Sequence, residues 1–405
     1  MPTDEPVKLY TPEFREDTAV SFRRLRERHG PVVPVLMEGD LPAWLVIGYR
    51  ELHHVLTTPS VFARNPSRWN AWDRVPPDWS MMPVVMPLPN MLSAEGEEHA
   101  ARARAVNAAL GGVDPHELGV VTERLADRLI DAFRGSAETE LITTYADRLP
   151  ALVLCWMFGL DGERGDRLTS VMTTVFDAGP RVMEYYMEMA TTVGGLVAER
   201  RAAPGPDVVS RLAADPRGYT DEEIVPELLA ILGGGHQTTS AWIGNALRLM
   251  LTDDRFSASF SGARSSVGEA LNEVLWEDSP SQMQAGRYAA HDVDLGGRRI
   301  REGDMVLLGY AAANQDPVVR SARGRDERAN HAHLSFSHGE HGCPYAARTI
   351  SETIAATAVE VLLDRLPDVE LAVDPSELRW RPSPWLRGVH SLPVTFTPAS
   401  PEGAL

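Results

Sequence analysis

The chain has 405 residues, 43% hydrophobic and 24% charged, which is ample material for a large buried core. Its formal net charge of −18 argues against a nucleic-acid partner and against anionic membrane surfaces. Two cysteines far apart in sequence exclude a disulfide framework. No apolar run is long enough to span a bilayer, and the N-terminus carries no charged-then-apolar leader, so the chain reads as cytoplasmic and membrane-free.

Taken in chain order, Trp44-Leu-Val-Ile47 predicts a short strand, followed by a helix from Tyr49 to about Leu56. Residues 65–92 carry six prolines and three tryptophans, a composition that predicts a long irregular loop. Loops of that length inside a compact domain are usually functional. Helical periodicity dominates from about 98 to 252. Within it, Thr220-Asp-Glu-Glu223 is a capping box opening a helix that runs to about Met250. Gly233-Gly234-Gly235 interrupt this helix at a cost of about 3 kcal/mol in helix propensity, which implies either space needed beside the backbone or an interhelix loop. Asp292-Val-Asp-Leu-Gly296-Gly297-Arg-Arg-Ile300 predicts a hairpin. Residues 320–332 read as irregular, a last helix spans about Thr349 to Leu366, and the tail from Glu377 to Phe396 reads as short strands. The fold class is mainly α with a small β portion divided between the two ends, in one domain over residues 1–405.

The chemistry centres on Phe336-Ser-His-Gly339-Glu-His341-Gly-Cys343-Pro344. A structural zinc needs four ligands in compact pairs, and no second Cys/His pair is near. His341, two residues from Cys343, is poorly placed as a general base for a nucleophilic thiol. An inert buried thiol suits Cys155, in the apolar run Ala151–Phe158, better than Cys343, whose neighbours are glycine, histidine and proline. The glycine at 339 lets the backbone turn tightly and approach a flat object, and a lone thiolate on such a loop can be the axial ligand of a haem iron.

The Phe-x-x-Gly-x-x-x-Cys spacing resembles the cysteine-ligand loop of the cytochrome P450 family, the haem-thiolate monooxygenases, and the order of helices and strands matches that fold over essentially the full length. The resemblance implies haem b with Cys343 as the iron's axial ligand and Phe336 and the glycines of the loop beside the ring. Gly234-Gly235-His236-Gln237-Thr238 matches the family's Ala/Gly-Gly-x-acid-Thr element, where the helix opens for dioxygen and Thr238 assists proton delivery. Gln237 departs from the pattern: an amide orients water but does not relay protons by titrating. Delivery then falls to water, His236 or the substrate. His99, Arg287 and His341 occupy propionate-contact positions. The arginine usual four residues after His99 is replaced by Ala103, so Arg102 or Arg104 is expected in its place.

Two further departures stand out. Glu273-Val-Leu-Trp276 lacks the arginine of Glu-x-x-Arg, leaving Glu273 to pair with Arg323, Arg325 or Arg328. Pro344-Tyr345 follows the ligand, where Tyr345 replaces a glycine and Pro344 removes one possible N–H donor to sulfur. These departures resemble a subset of actinobacterial enzymes of specialised metabolism, some of which couple or decorate tryptophan-containing cyclic dipeptides. The expected pocket draws on Trp69, Trp72, Trp79 and Met86 from the long loop. It adds Phe176, Met183, Tyr185 and Met187 from a helical pair, and Ser281, Gln282 and Trp385 from later turns. Aromatics and adaptable methionines suit a bulky, aromatic small molecule. The chain carries no Gly-x-Gly-x-x-Gly after a strand, so electrons are expected from a separate ferredoxin and ferredoxin reductase. The expected reaction is hydroxylation or radical C–C or C–N coupling. The rival readings are a haem-binding scaffold that has lost turnover, motivated by Gln237 and Trp276, and a peroxide-driven haem enzyme.

Overall fold

A computed structural model describes residues 5–160, 162–174, 181–253, 265–320 and 330–398. Six strands form the principal sheet: β1 (Val7–Lys8), β2 (Val32–Met37), β3 (Leu41–Val46), β4 (Phe62–Ala63), β6 (Gln284–Ala289) and β9 (Met305–Leu308), in the order β1-β2-β3-β9-β6-β4. β5 (Glu138–Glu140) joins β10 (Glu370–Leu371) and β11 (Pro393–Thr395) in a small sheet. β7 (Val293–Leu295) and β8 (Arg298–Ile300) make the expected hairpin. Its turn glycines, Gly296 and Gly297, have φ of 55° and 78°, the positive values that a two-residue turn of this hand requires.

The longer helices are α1 (Thr18–His29), α2 (Tyr49–Thr57), α3 (Gly96–Gly111), α4 (Pro115–Asp131), α5 (Arg148–Met157), α6 (Gly162–Thr174), α7 (Val182–Ala202), α8 (Asp221–Thr252), α9 (Ser265–Glu277) and α10 (Tyr345–Arg365). None is long and apolar enough to cross a membrane. The helical stretch predicted over 98–252 is broken at 138–147, where β5 pairs with β11 and a π turn covers Ile142–Ala146. That strand pairs with a segment some 250 residues away, which local periodicity cannot register. The predicted strand at 44–47 is longer in the structure, because β3 is paired on both sides, antiparallel to β2 and parallel to β9. The final helix starts four residues earlier than expected, with Pro344 at its N-cap. Proline supplies a fixed φ and needs no hydrogen-bond acceptor there.

α8 is the axis of the largest core. Its Leu228, Leu232, Ile243 and Leu247 are fully buried, as are Ile354, Ala358 and Leu362 of α10 and Leu149 and Val153 of α5 in the same cluster. The capping box forms as read: Thr220 N donates to Glu223 Oε2 at 3.0 Å, and the Thr220 side chain accepts from the Glu223 backbone. Gly233–Gly235 stay helical within α8, so the interhelix-loop alternative is set aside. Trp276 fills the position where an arginine was missed. It is fully buried, donates Nε1–H to Asn330 O at 2.8 Å and meets His333 edge-to-face. Arg323, Arg325 and Arg328, the expected partners of Glu273, lie outside the described residues.

Candidate active site

The loop before α10 is shaped by its glycines. Gly339 has φ 75°, and a Cβ there would stand 2.5 Å from Leu56 O, so only glycine fits without moving α2. Gly342 N donates to Gly339 O at 3.0 Å and Cys343 N to Phe336 O at 2.9 Å, closing the loop on itself. The Phe336 ring is held between Trp242, at a centroid distance of 5.7 Å, and the Arg348 guanidinium, 5.0 Å away. Cys343 is thereby presented to a cavity of about 1210 Å³. The accessible surface of Cys343 opens onto that cavity, whose walls are protein. Burial pushes its thiol up to about 11, opposed by Arg348.

On the same floor lies a cluster of two guanidiniums and two imidazoles. Arg287 on β6 is fully buried, and its Nε and Nη1 have no hydrogen-bond partner. Arg64, just after β4, is also buried, lines the cavity and donates Nη1–H to Gly286 O at 2.9 Å. The His99 and His341 rings lie 3.8 Å apart. Glu340 Oε1 stands 3.4 Å from His99 Nδ1 and 3.8 Å from His341 Nε2. Burial and the neighbouring guanidiniums push His341 down to about 2 and Arg287 down to about 9. Burial also lowers Arg64 and His99. Among the described residues neither guanidinium has a carboxylate within ion-pairing distance. Uncompensated buried charges cost several kcal/mol each, so this floor is built for a ligand that brings its own anions.

The opposite wall is α8. Among the described residues a Cβ on Gly233 or Gly234 would meet nothing within 4 Å, whereas one on Gly235 would sit 3.4 Å from Leu154 Cδ1. The first two glycines therefore leave open space inside the cavity, not room for a neighbouring side chain. Thr238 faces the cavity and donates its hydroxyl to Gly234 O at 2.5 Å. A porphyrin carrying two propionates, set between Cys343 and α8, matches this donor set. Cys343 would supply the sulfur ligand, the unpartnered guanidinium N–H groups of Arg287 would meet the propionates, and the open helix turn would leave room for a small ligand.

Gln237 and His236 also line the cavity, but both are buried and their side-chain polar atoms are bonded to protein groups. His236 Nε2 lies 2.8 Å from Asp147 O, so it carries the proton and leaves Nδ1 to accept from Gln237 Nε2 at 3.3 Å. Burial holds the imidazole below its ordinary range, hence neutral. Gln237 Nε2 also reaches Met172 O at 3.5 Å, while its Oε1 accepts from Arg381 Nη1 at 3.2 Å. No Gln237 amide hydrogen is left to orient water, and the Nε2 proton of His236 is committed to a carbonyl.

Other expected residues are placed differently. Arg102 spends its guanidinium on Glu98 (2.6 Å), Glu223 (2.9 Å), Glu227 (3.3 Å) and Pro89 O (2.9 Å), turned from the His99–His341 floor. Arg104 is exposed. Arg64 instead supplies the second guanidinium. No family position flagged it, and only strand pairing with β6 brings it to Arg287. Trp69, Trp72 and Trp79 pack on one another at 5.3 and 5.7 Å in a core cluster with Met37, Val85 and Met305, not on the cavity. Gln282 is buried and donates to Ser383 O (2.8 Å) and Leu386 O (3.1 Å), holding the late turn rather than a ligand. Met86, Ser281 and Trp385 line the cavity. Phe176 lies outside the described residues. On α7 the lining side chains are Val182, Tyr186 and Met189, at i, i+4 and i+7. The expected Met183, Tyr185 and Met187 sit on neighbouring faces, and Met187 is largely exposed. Met91, Met157 and Met172 also line the cavity and were not anticipated.

No family model matches the chain. It is 28% identical over 397 residues to cytochrome P450 107B1 of Saccharopolyspora erythraea, covering 94% of this chain and 95% of that one. It is 28% identical over 365 residues to the mycinamicin IV hydroxylase/epoxidase of Micromonospora griseorubida, covering 87% and 89%. Among solved structures, CYP154C4 from a Streptomyces superposes with a TM-score of 0.85 at 25% identity, covering 99% of both chains. With the thiol loop, the cationic floor and the opened helix on one cavity, these likenesses settle the family: the chain belongs to the cytochrome P450s, haem b enzymes of the monooxygenase type.

Proposed function

We propose that the protein oxidises a bulky, largely apolar natural product in specialised metabolism, with Cys343 as the axial sulfur and Arg64, Arg287, His99 and His341 receiving the propionates. The observation that carries this reading is the pair of buried guanidiniums on the Cys343 floor with, among the described residues, no carboxylate in ion-pairing reach and, on Arg287, two unpartnered nitrogens. Haem held there would supply dioxygen activation, fed by a separate ferredoxin and its reductase. The chain's own groups bind, orient and exclude water. Gly233 and Gly234 leave room for a small ligand beside α8, and Thr238 holds a hydroxyl proton at Oγ1, on the cavity side. Since Gln237 and His236 are committed to buried acceptors, protons reach that hydroxyl through cavity water or the substrate.

Methionine, leucine and tyrosine walls at Met86, Met91, Met172, Tyr186 and Met189 adapt to a large, irregular apolar body. A Bacillus subtilis relative named for polyketide biosynthesis, 26% identical over 317 residues, supports a polyketide-derived substrate. An aromatic substrate, such as a tryptophan-bearing cyclic dipeptide, is the narrower alternative, with coupling in place of hydroxylation. The test is spectral. Haem-loaded protein reduced under carbon monoxide is expected to show the red-shifted Soret band of thiolate ligation, and Cys343→Ser is expected to abolish it. An unchanged band in that variant overturns the assignment. Titration of the ferric protein with macrolides, polyketides and aromatic cyclic dipeptides then separates the substrate classes by which one perturbs the spectrum.

A further inference from the structure

Beside the glycine turn, one residue outside the cavity lining ties several side chains together. Asp147, buried between the π turn and α5, receives three side chains. His236 Nε2 donates to its main-chain oxygen at 2.8 Å, Ser240 Oγ to its Oδ1, and Arg381 Nη2 to its Oδ2 at 2.9 Å. The same guanidinium donates from Nη1 to Gln237 Oε1 at 3.2 Å. Residues 236, 237 and 240 share the back of one helical turn, so Asp147 fixes it directly at two points and through Arg381 at a third. Thr238 and Gly234 line the cavity, as do His236, Gln237 and Arg381, whereas Asp147 and Ser240 do not.

A part-buried guanidinium meets a buried carboxylate, and the group at 237 is a neutral amide. A carboxylate at 237 would add an anion beside Asp147 on the same guanidinium, where like charges repel. An amide at 237 and an acid at 147 are therefore a matched choice.

We propose that Asp147 is the carboxylate this chain uses in place of an acid at position 237, and that through Arg381 and His236 it acts as a positioning residue for the cavity-facing turn bearing Gly234 and Thr238. The inference rests on reading α8 as the oxygen side. It predicts that the carboxylate can be moved: Asp147→Asn loses the pairing, Gln237→Glu crowds it, and the double variant returns a carboxylate to Arg381.

The experiment compares the four haem-loaded proteins by thermal unfolding and by the C–O stretching band of the ferrous carbon monoxide adduct, which reports on polar groups facing the bound ligand. Asp147→Asn is expected to lower Tm by about 4 °C or more, as for a broken buried ion pair, and to shift or broaden the band. The Asp147→Asn/Gln237→Glu protein is expected to recover at least half of both losses. If Asp147→Asn yields no folded protein, recovery of folded yield in the double variant decides the matter in the same way. Additive losses, or a band that Asp147→Asn leaves unmoved, overturn the proposal. The wild-type carbon monoxide spectrum is unaffected by that outcome, so the haem-thiolate reading stands or falls separately.

Discussion

Gly234→Ala separates two reasons for placing glycine in the middle of a long helix. In a helix interior the substitution is expected to stabilise by about 1 kcal/mol, because alanine loses less backbone freedom on folding. Among the described residues nothing opposes that gain, since the added Cβ meets no atom within 4 Å. For a chain of this length, 1 kcal/mol corresponds to about 1 °C in Tm. The same methyl occupies the cavity side of α8, where a diatomic ligand would lie. Overfilling a packed site costs about 1–3 kcal/mol, so carbon monoxide affinity of the ferrous protein is expected to fall at least about fivefold. Thermal unfolding and carbon monoxide titration of the same preparation measure both. Gly235→Ala is the control: its Cβ would already touch Leu154 at 3.4 Å, so its gain in Tm should be smaller. A variant that gains stability with unchanged affinity would refute the idea that these glycines make room for a ligand. A clear loss of stability would show that α8 needs them for packing.

Glu227 is buried on α8, and burial pushes it up to about 7 from 4.5, with Arg102 pulling the other way. The folded state thus holds a proton that the unfolded chain has released between these values. Stability should fall as pH rises through that window, by up to about 3 kcal/mol. Glu227→Gln should flatten the decline in denaturation midpoints measured from pH 5 to 8, and an unaltered slope would reject the assignment. Thr238→Ala should divert electrons into hydrogen peroxide at the expense of product, by about 10-fold or more for a lost proton-transfer group. Unchanged coupling of electron use to product would remove Thr238 from that role.

What the sequence made legible was local. The capping box at Thr220, the Gly296-Gly297 turn and the Cys343 loop each lie within ten residues and are fixed by short-range rules: an orphan N–H to satisfy, a positive φ to supply, a close backbone approach to allow. What it hid was a matter of facing. Arg102 and Arg64 are both arginines near positions where a cation was wanted. One is drawn off by Glu98, Glu223 and Glu227, from its own helix and from α8, and the other is carried to Arg287 by the β4–β6 pairing. On α7, the lining set 182, 186 and 189 interleaves with the set 183, 185 and 187 read off the sequence, because aromatic and methionine residues lie on both faces. The tryptophans at 69, 72 and 79 fall to the same problem, since each could pack on its siblings or on a ligand, and they pack on one another.

Asp147 shows why such facing matters for chemistry. By its position it is an unremarkable helix-start acid, ninety residues before the turn it serves. Only closure of α5 against α8, with the late turn bringing in Arg381, makes it the anion opposite Gln237. A reading confined to position 237 finds a lost proton donor and infers weakened catalysis. Including Asp147 gives a different result: the carboxylate is retained, moved behind the helix, and can no longer pass a proton into the cavity, because it is bonded to Arg381 and Ser240. A group so placed can hold geometry without supplying protons. Proton supply must then depend on water or substrate hydroxyls in the cavity. A substrate lacking such groups should therefore release more peroxide per electron than one that carries them near Thr238. Equal peroxide yields from the two substrate types, measured on the same preparation, would return the burden of proton delivery to the protein.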